Sequence, residues 1–262
     1  MKATRDILTA LANGKISIEE AEKQIQILSL AEVGGIGQLD VNRQERSGVP
    51  EVILAETKDV DTLTEIVDVM IEKRDVALLT RVNTMKLKGL QEKLSGFAFE
   101  ITGFDDHHTV LIHNEDWKQP PENGKIAILT AGTSDVAYAA EAEAIARIMG
   151  VQVFSFHDVG VAGMHRLIDP VRKCLEEDVS ALVVFAGMEG ALPTLVASLV
   201  DIPVIGVPVP TGYGHGGAGE TALSAMLQSC APGLSVVNIG NGLGAGAFAA
   251  LVAKRCARTQ DE

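Results

Sequence analysis

Hydrophobic and polar positions change rhythm near the middle of this chain. Up to about residue 115 the predicted elements are short and mixed. "ATRDILTALANG" puts apolar residues at helical spacing and stops at Asn13-Gly14, a helix-end signal. "SIEEAEKQIQIL" begins at Ser17 with Glu20 three residues on, a capping box that opens a second helix. Arg43 and Arg46 read as part of a turn before the apolar run 52–55. "DVDTLTEIVDVMIEK" is an amphipathic helix, "DVALLTRV" a strand, "TMKLKGLQEKL" a helix, and "FAFEITG" and "TVLIHNE" strands. His107 and His108 fall between those last two strands and read as an ordinary turn. Residues 116–125, "DWKQPPENGK", carry two prolines, an Asn-Gly and no apolar periodicity, which reads as a linker. The expected domains are 1–118, an α+β unit with a helical start, and 119–262.

After the linker the pattern becomes regular. Five apolar runs ("KIAILTAG", "VQVFSF", "VSALVVFAG", "IPVIGVPV" and "LSVVNIG") are each followed by a helical stretch. The runs are nearly continuous rather than alternating, as expected of strands buried on both faces. Strand–helix alternation predicts an α/β fold with a doubly wound parallel sheet, flavodoxin- or Rossmann-like, and right-handed crossovers. Ligands in such sheets sit outside the strand C-terminal ends, where the strand order reverses. All five segments that follow the strands are rich in glycine, and they hold the unusual polar residues.

Composition narrows the functional classes. Of 262 residues, 47% are hydrophobic and 22% charged, ample for a core. No apolar run reaches the ~18 residues of a membrane span, and the polar start does not resemble a signal peptide. Three cysteines without close pairing give neither a disulfide framework nor a zinc pattern, so a reducing, cytoplasmic setting is expected. A net charge of −13 argues against nucleic acid as a partner, though a small anionic ligand needs only local positive groups.

Candidate chemistry lies in the strand-end loops. In "TAGTSD", Gly132 admits close backbone approach, Thr133 and Ser134 offer hydroxyls, and Asp135 can cap the next helix; the alternative is a plain strand-to-helix turn. His165 and Arg166, after "GVAGM", suit an anionic substrate and proton transfer, or are an exposed helix start. His157 and Asp158 form a polar pair upstream, and His215 lies in the longest glycine-rich loop. Glu189 in "FAGMEGALP" is either a helix-capping carboxylate, kept ionised, or a base. Cys174 and Cys256 lie within helical patterns and read as structural. Cys230 stands where Ala-Pro-Gly ends a helix. A free thiol is only a few per cent ionised at pH 7, a cost of roughly 2 kcal/mol, and a helix C-terminus adds to it. Cys230 is therefore either packed or a nucleophile beside a base or a cationic substrate.

Several of these segments resemble one family. "VGVAGMHRL", "VFAGMEGALPTLVASLVDIPVIGVPVPTGYG" and "SAMLQSCAPGLSVVNIGNGLGAG" are similar to the LarB family of nickel-pincer nucleotide cofactor biosynthesis, the pyridinium-3,5-biscarboxylic acid mononucleotide synthases. "LDVNRQERSGVPEVILAE" resembles the family's N-terminal motif at Arg43, Arg46, Gly48, Pro50 and Glu51. The second half resembles, more distantly, phosphoribosylaminoimidazole carboxylase: "TAGTSD", "AGMHRL" and "AGMEGALP" follow its three site loops. Where the purine enzyme has a histidine this chain has Ala191, with Glu189 two residues earlier.

The resemblance implies carboxylation of nicotinic acid adenine dinucleotide by CO2 or bicarbonate, with anhydride hydrolysis to AMP and the dicarboxylate mononucleotide. It implies Cys230 as nucleophile and Glu189 as acid/base; His165, suited to proton transfer, is expected as a further catalytic group. Substrate contacts are expected at Gly132, Thr133, Ser134, Asp135, Arg166, Gly187, Met188, Tyr213, Gly214 and Asn241. Mg2+ on the phosphates and a homo-oligomer, an octamer by analogy with the purine carboxylases, are expected as well. Gly240 stands where the family usually has aspartate. A purine-type carboxylase or mutase and a non-catalytic nucleotide-binding protein are the alternatives.

Overall fold

The computed structural model describes residues 2–29, 31–33, 37–40, 43–104 and 106–260. Helices α1 (Lys2–Ala12) and α2 (Ile18–Ser29) pack on one another, and a short antiparallel pair follows, β1 (Ala31–Val33) with β2 (Gly37–Leu39). The Ser17 hydroxyl accepts from the Glu20 N–H at 3.1 Å and caps α2, while the Glu20 carboxylate accepts from Gln24 at 2.9 Å, so only the serine half of the expected capping box forms. Arg43 and Arg46 lie in a short helix, α3 (Arg43–Ser47), rather than the expected turn.

Four strands form the first main sheet: β3 (Ile53–Leu54), β4 (Val76–Val82), β5 (Ala98–Phe104) and β6 (His107–His113), in the order β3-β4-β6-β5. Helices α4 (Val60–Arg74) and α5 (Thr84–Lys93) cover one face, started by the side chains of Asp59 and Asn83, which accept from N–H groups one turn on. Along β4, Ala77 and Leu79 point to these helices while Leu78 points the other way. His107 and His108 open β6 and pair across to β5 and β4, so they are strand residues, not a turn.

The larger sheet is parallel. Its strands are β7 (Lys125–Thr130), β8 (Gln152–Phe156), β9 (Ala181–Ala186), β10 (Val204–Pro208) and β11 (Leu234–Val236), in the order β11-β10-β9-β7-β8. Numbered within this half, that is 2-1-3-4-5, the flavodoxin-like order, with its reversal between β7 and β9. Helices α6 (Val136–Ile148) and α10 (Gly242–Gln260) lie on one face; α7 (Ile168–Glu176), α8 (Ala191–Ala197) and α9 (Glu220–Leu227) lie on the other. Alternate residues of one strand serve the two faces: Ile126 and Ile128 meet α6 and α10, while Ala127 and Leu129 face the opposite core.

Small residues let α6 and α10 approach closely. A Cβ added at Gly246 would stand 2.5 Å from the Ala142 backbone. Leu78 and Leu111 of the first sheet belong to the same buried cluster as α6 and α10. The helices α6 and α10 therefore fill a layer between the two sheets. Residues 114–124 contain no helix or strand, yet Trp117 packs on that shared core, so this connection is anchored rather than a free tether.

Candidate active site

The reversal of strand order splits the loops after β7 and β9, and a cavity of about 360 Å³ opens there. That is within the range of about 300–1,000 Å³ usual for small-molecule sites. The β7 loop contributes Gly132, Ser134 and Asp135; the β8 loop Asp158 and Arg166; the β9 loop Gly187, Met188 and Glu189; the β10 loop Thr211 and Tyr213. Eight of the expected site residues thus meet around one space because four strands end at one edge.

Each loop is held in place. Asp135 is buried, and its carboxylate accepts from the Gly132 N–H at 2.9 Å and the Thr211 hydroxyl at 3.0 Å. It therefore clasps the β7 loop to the β10 loop instead of capping α6, where it makes no side-chain cap hydrogen bond. Gly187 allows the β9 loop to close on β10, since a Cβ there would meet Thr211 Oγ1 at 2.4 Å. Arg166 pairs with Asp158 across the cavity wall, and Asp158 N–H donates to Thr130 Oγ1 at 3.3 Å. Asp158 and Met188 both adopt positive φ, 58° and 45°. Non-glycine residues in that region cost free energy, and such residues cluster at functional sites.

Burial pushes the Asp135 carboxyl upward, against the two hydrogen bonds that favour its ionised form. The folded chain then holds this proton more tightly than the unfolded chain. Its contribution to stability is full below the ordinary carboxylate value of about 3.9 and falls as pH rises through the raised value. Asp135→Asn keeps an acceptor for the Gly132 N–H and removes the buried charge, so it is expected to flatten that pH dependence in urea unfolding curves. Asp135→Ala strands the Gly132 N–H and is expected to cost about 1–3 kcal/mol. Equal stability of both variants from pH 4 to 8 would refute the clasp.

Glu189 is exposed at the cavity rim and makes no hydrogen bond among the described residues. It does not cap α8, whose N-cap is Gly190 without a side-chain bond, so the expected capping role is absent. Thr133, His165 and Gly214 are neighbours of lining residues but do not line the cavity. Asn241 instead caps α10, its Oδ1 accepting from the Gly244 N–H at 2.9 Å. Arg43 pairs with Glu51, and Arg46 with Asp40, away from the cavity.

Cys230 is exposed and lies outside the cavity. It precedes β11, whose first residue Leu234 stands level with Val204 and hence with Leu182 near the start of β9. Glu189 follows β9 at the other end, beyond Ala186. The five residues from Leu182 to Ala186 span about 13 Å of strand. Cys174, by contrast, is buried and its thiol is pushed up to about 11 by burial, consistent with a packing role.

Two groups escaped the sequence reading. Thr211 completes the Asp135 clasp, and no pattern marks it. Glu141 of α6 is buried, accepting from Arg81 Nε at 3.3 Å and the Leu243 N–H at 3.3 Å, with His107 Nε2 3.0 Å away. Helical glutamates are mostly exposed, so "AAEAEAIA" gave no sign of which one turns inward.

The comparison with known proteins follows this division of the chain. A family model for AIR carboxylase matches residues 125–262, and one for a LarB/PurE-like N-terminal domain matches residues 31–103. The chain belongs to the LarB family. An uncharacterized protein of Methanocaldococcus jannaschii is 45% identical over 254 residues, covering 97% of this chain and 98% of that one. The N5-carboxyaminoimidazole ribonucleotide mutase of Methanocaldococcus jannaschii is 33% identical over 142 residues, 52% of this chain and 81% of the mutase. The mutase of Aquifex aeolicus is 27% identical over 128 residues, 47% and 73% respectively. This LarB-family chain therefore joins a carboxylase/mutase-type enzyme half to a family-specific N-terminal half. Among the described residues no helix is long and apolar enough to cross a membrane.

Among the described residues no three His, Cys, Asp or Glu side chains converge on a point that would hold a metal ion. Asp135 and Asp158, the other carboxylates of the cavity, are engaged by Thr211 and Arg166. The described residues do not form a resident Mg2+ site.

Proposed function

We propose that this chain carboxylates the pyridinium ring of nicotinic acid adenine dinucleotide and cleaves its phosphoanhydride, releasing AMP and pyridinium-3,5-biscarboxylic acid mononucleotide. The observation that carries this reading is Glu189. A carboxylate without a partner stands at the mouth of the switch-point cavity, while Ala191 leaves the first turn of α8 without the imidazole expected for purine chemistry.

The ring nitrogen bears ribose, so the ring is cationic and electrophilic, and its charge favours a thiolate beside it. The Cys230 thiolate adds to the carbon next to position 5, and a ring electron pair moves onto nitrogen. Position 5 is then an enamine carbon and forms a bond to CO2. Glu189 accepts the proton from that carbon. The C–S bond breaks with its electrons returning to sulfur, and the aromatic cation is restored. In the second reaction water adds to phosphorus and AMP leaves. Arg166 and the Ser134 hydroxyl, both on the cavity wall, are assigned to the phosphates.

Cys230 does not line the cavity of its own chain that Glu189 lines, although Ser229 beside it is held to Thr194 of α8 at 2.9 Å. We assign to the active form a homo-oligomer in which Cys230 of one subunit serves the cavity of another. The deciding experiment supplies purified protein with the dinucleotide and labelled bicarbonate. Label in a mononucleotide, with AMP in equal amount, supports the proposal; label only in aminoimidazole ribotide supports the purine reaction instead. Glu189→Gln is expected to slow label incorporation at least about a hundredfold, the scale of a lost general base, while dinucleotide binding by calorimetry persists. Undiminished incorporation by that variant would remove Glu189 from the mechanism.

A further inference from the structure

A second cavity, of about 380 Å³, opens at the same end of the parallel sheet, between it and the N-terminal half. Its walls include Glu56, Arg81 and Asp106 from the first half, and Tyr138, Pro210 and Gly240 from the second. Nothing in the carboxylation chemistry above uses it.

The cavity is organised around Arg81. Between Leu79 and Val82 the pairing of β4 with β6 slips by one residue, and Arg81 within this bulge has φ 56°. Bulges re-aim side chains, and here the guanidinium leaves the sheet for the cleft. It donates through Nε to Glu141, through Nη2 to the Gly240 carbonyl at 3.0 Å, and through Nη1 to Glu56 at 3.4 Å. One N–H on each terminal nitrogen remains outside these bonds. Tyr138 and His107 meet in the same cavity wall, ring centroids 4.4 Å apart and tilted by 49°. A Cβ at Gly240 would stand 3.4 Å from the Tyr138 ring and 3.8 Å from Arg81 Nη2. The glycine at this position therefore leaves open space that a side chain would fill.

Charge decides the ligand class. Glu56 and the buried Glu141 pair with Arg81, Asp106 on the wall accepts from the Thr84 N–H at 3.4 Å, and the Lys86 ammonium is engaged by the Ala55 and Glu56 carbonyls, so carboxylates outnumber the cations and the surrounding opposes a phosphate and accepts from hydroxyl and amino groups. Carboxylates at strand ends that take a ribose diol are a recurrent solution in α/β sheets. The aromatic pair and Pro210 supply flat apolar surface for a base. The switch-point cavity lies one helical turn away: Tyr138 follows Asp135 by three residues, and Pro210 precedes Thr211, so the two spaces share a wall.

We propose that this second cavity binds the adenosine unit of the dinucleotide, through hydroxyl and amino groups rather than phosphate. The assignment rests on the dinucleotide reading, and it gives the N-terminal half a direct part in substrate binding. The test uses the full chain and calorimetric titration with adenosine, and separately with nicotinic acid mononucleotide. Glu56→Gln with Asp106→Asn, both at exposed positions, is expected to weaken adenosine about tenfold or more and to leave the mononucleotide unchanged. Gly240→Asn, which tolerates positive φ and fills the space, is expected to do the same; should it fail to fold, the carboxylate pair decides alone.

Failure of adenosine to bind the native chain, or equal binding by the double variant, overturns the assignment. A native chain that binds adenosine in this variant-sensitive way yet fixes no label into the dinucleotide would keep the cavity and sink the proposed reaction.

Discussion

Cys230→Ser is expected to lower carboxylation of the dinucleotide by about a thousandfold or more, roughly 4 kcal/mol of barrier. An alcohol does not furnish the anion that adds to the ring, and the exposed position of Cys230 makes the exchange harmless to folding. Intact-mass measurement of native protein trapped with substrate should show a covalent adduct that the variant lacks. The separation of Cys230 from Glu189 sharpens this prediction. Cys230→Ser chains and Glu189→Gln chains, each inactive alone, should recover activity when assembled together. Random pairing restores about one quarter of sites if each site takes one residue from each of two copies. A mixture as inactive as its components would mean that both residues act within one chain, against the two-copy assignment.

Glu141→Ala is expected to destabilise the protein by about 3–5 kcal/mol, the scale for removing one partner of a buried ion pair. The Glu141 side chain is 2% exposed, and its two oxygens bind groups from three places: Arg81 in β4, His107 in β6, and the N–H of Leu243 at the start of α10. Its loss leaves Arg81 leaning on the exposed Glu56 and the Gly240 carbonyl, and the tie between the two sheets is cut. Urea unfolding should show an earlier midpoint with an unchanged slope. Glu141→Gln is expected to lose less, since its carbonyl oxygen still accepts from Arg81 Nε while only the bond from the Leu243 N–H is lost. A midpoint for Glu141→Ala within error of the native one would show that the two halves cohere through apolar packing alone.

Much of the fold was legible residue by residue. The continuous apolar strands of the second half foretold burial on both faces, and helices α6 and α10 on one side with α7, α8 and α9 on the other supply it. The cap at Ser17 acts through neighbours in the chain, which is why local pattern reveals it. The elements read differently are those whose state depends on distant partners. His107 and His108 look like a turn until β4 and β5 pair with them. Residues 114–124 look like a tether until Trp117 finds the core beneath.

For the site, sequence alone determined which loops carry the chemistry, because strand–helix alternation forces every strand C-terminal end to one edge of a parallel sheet. Tertiary structure decided which residues of those loops meet. Asp135, on the cavity wall, also clasps two loops because Thr211 comes within reach, and Asn241 caps the start of α10. Cys230 falls outside the cavity because α9 runs back along the sheet before β11 begins. Glu141, Arg81 and Gly240 are far apart in sequence and share one hydrogen-bonded group only because two sheets pack on one layer of helices. Local periodicity specifies the strands and helices, whereas contacts between distant residues exist only once those elements are packed.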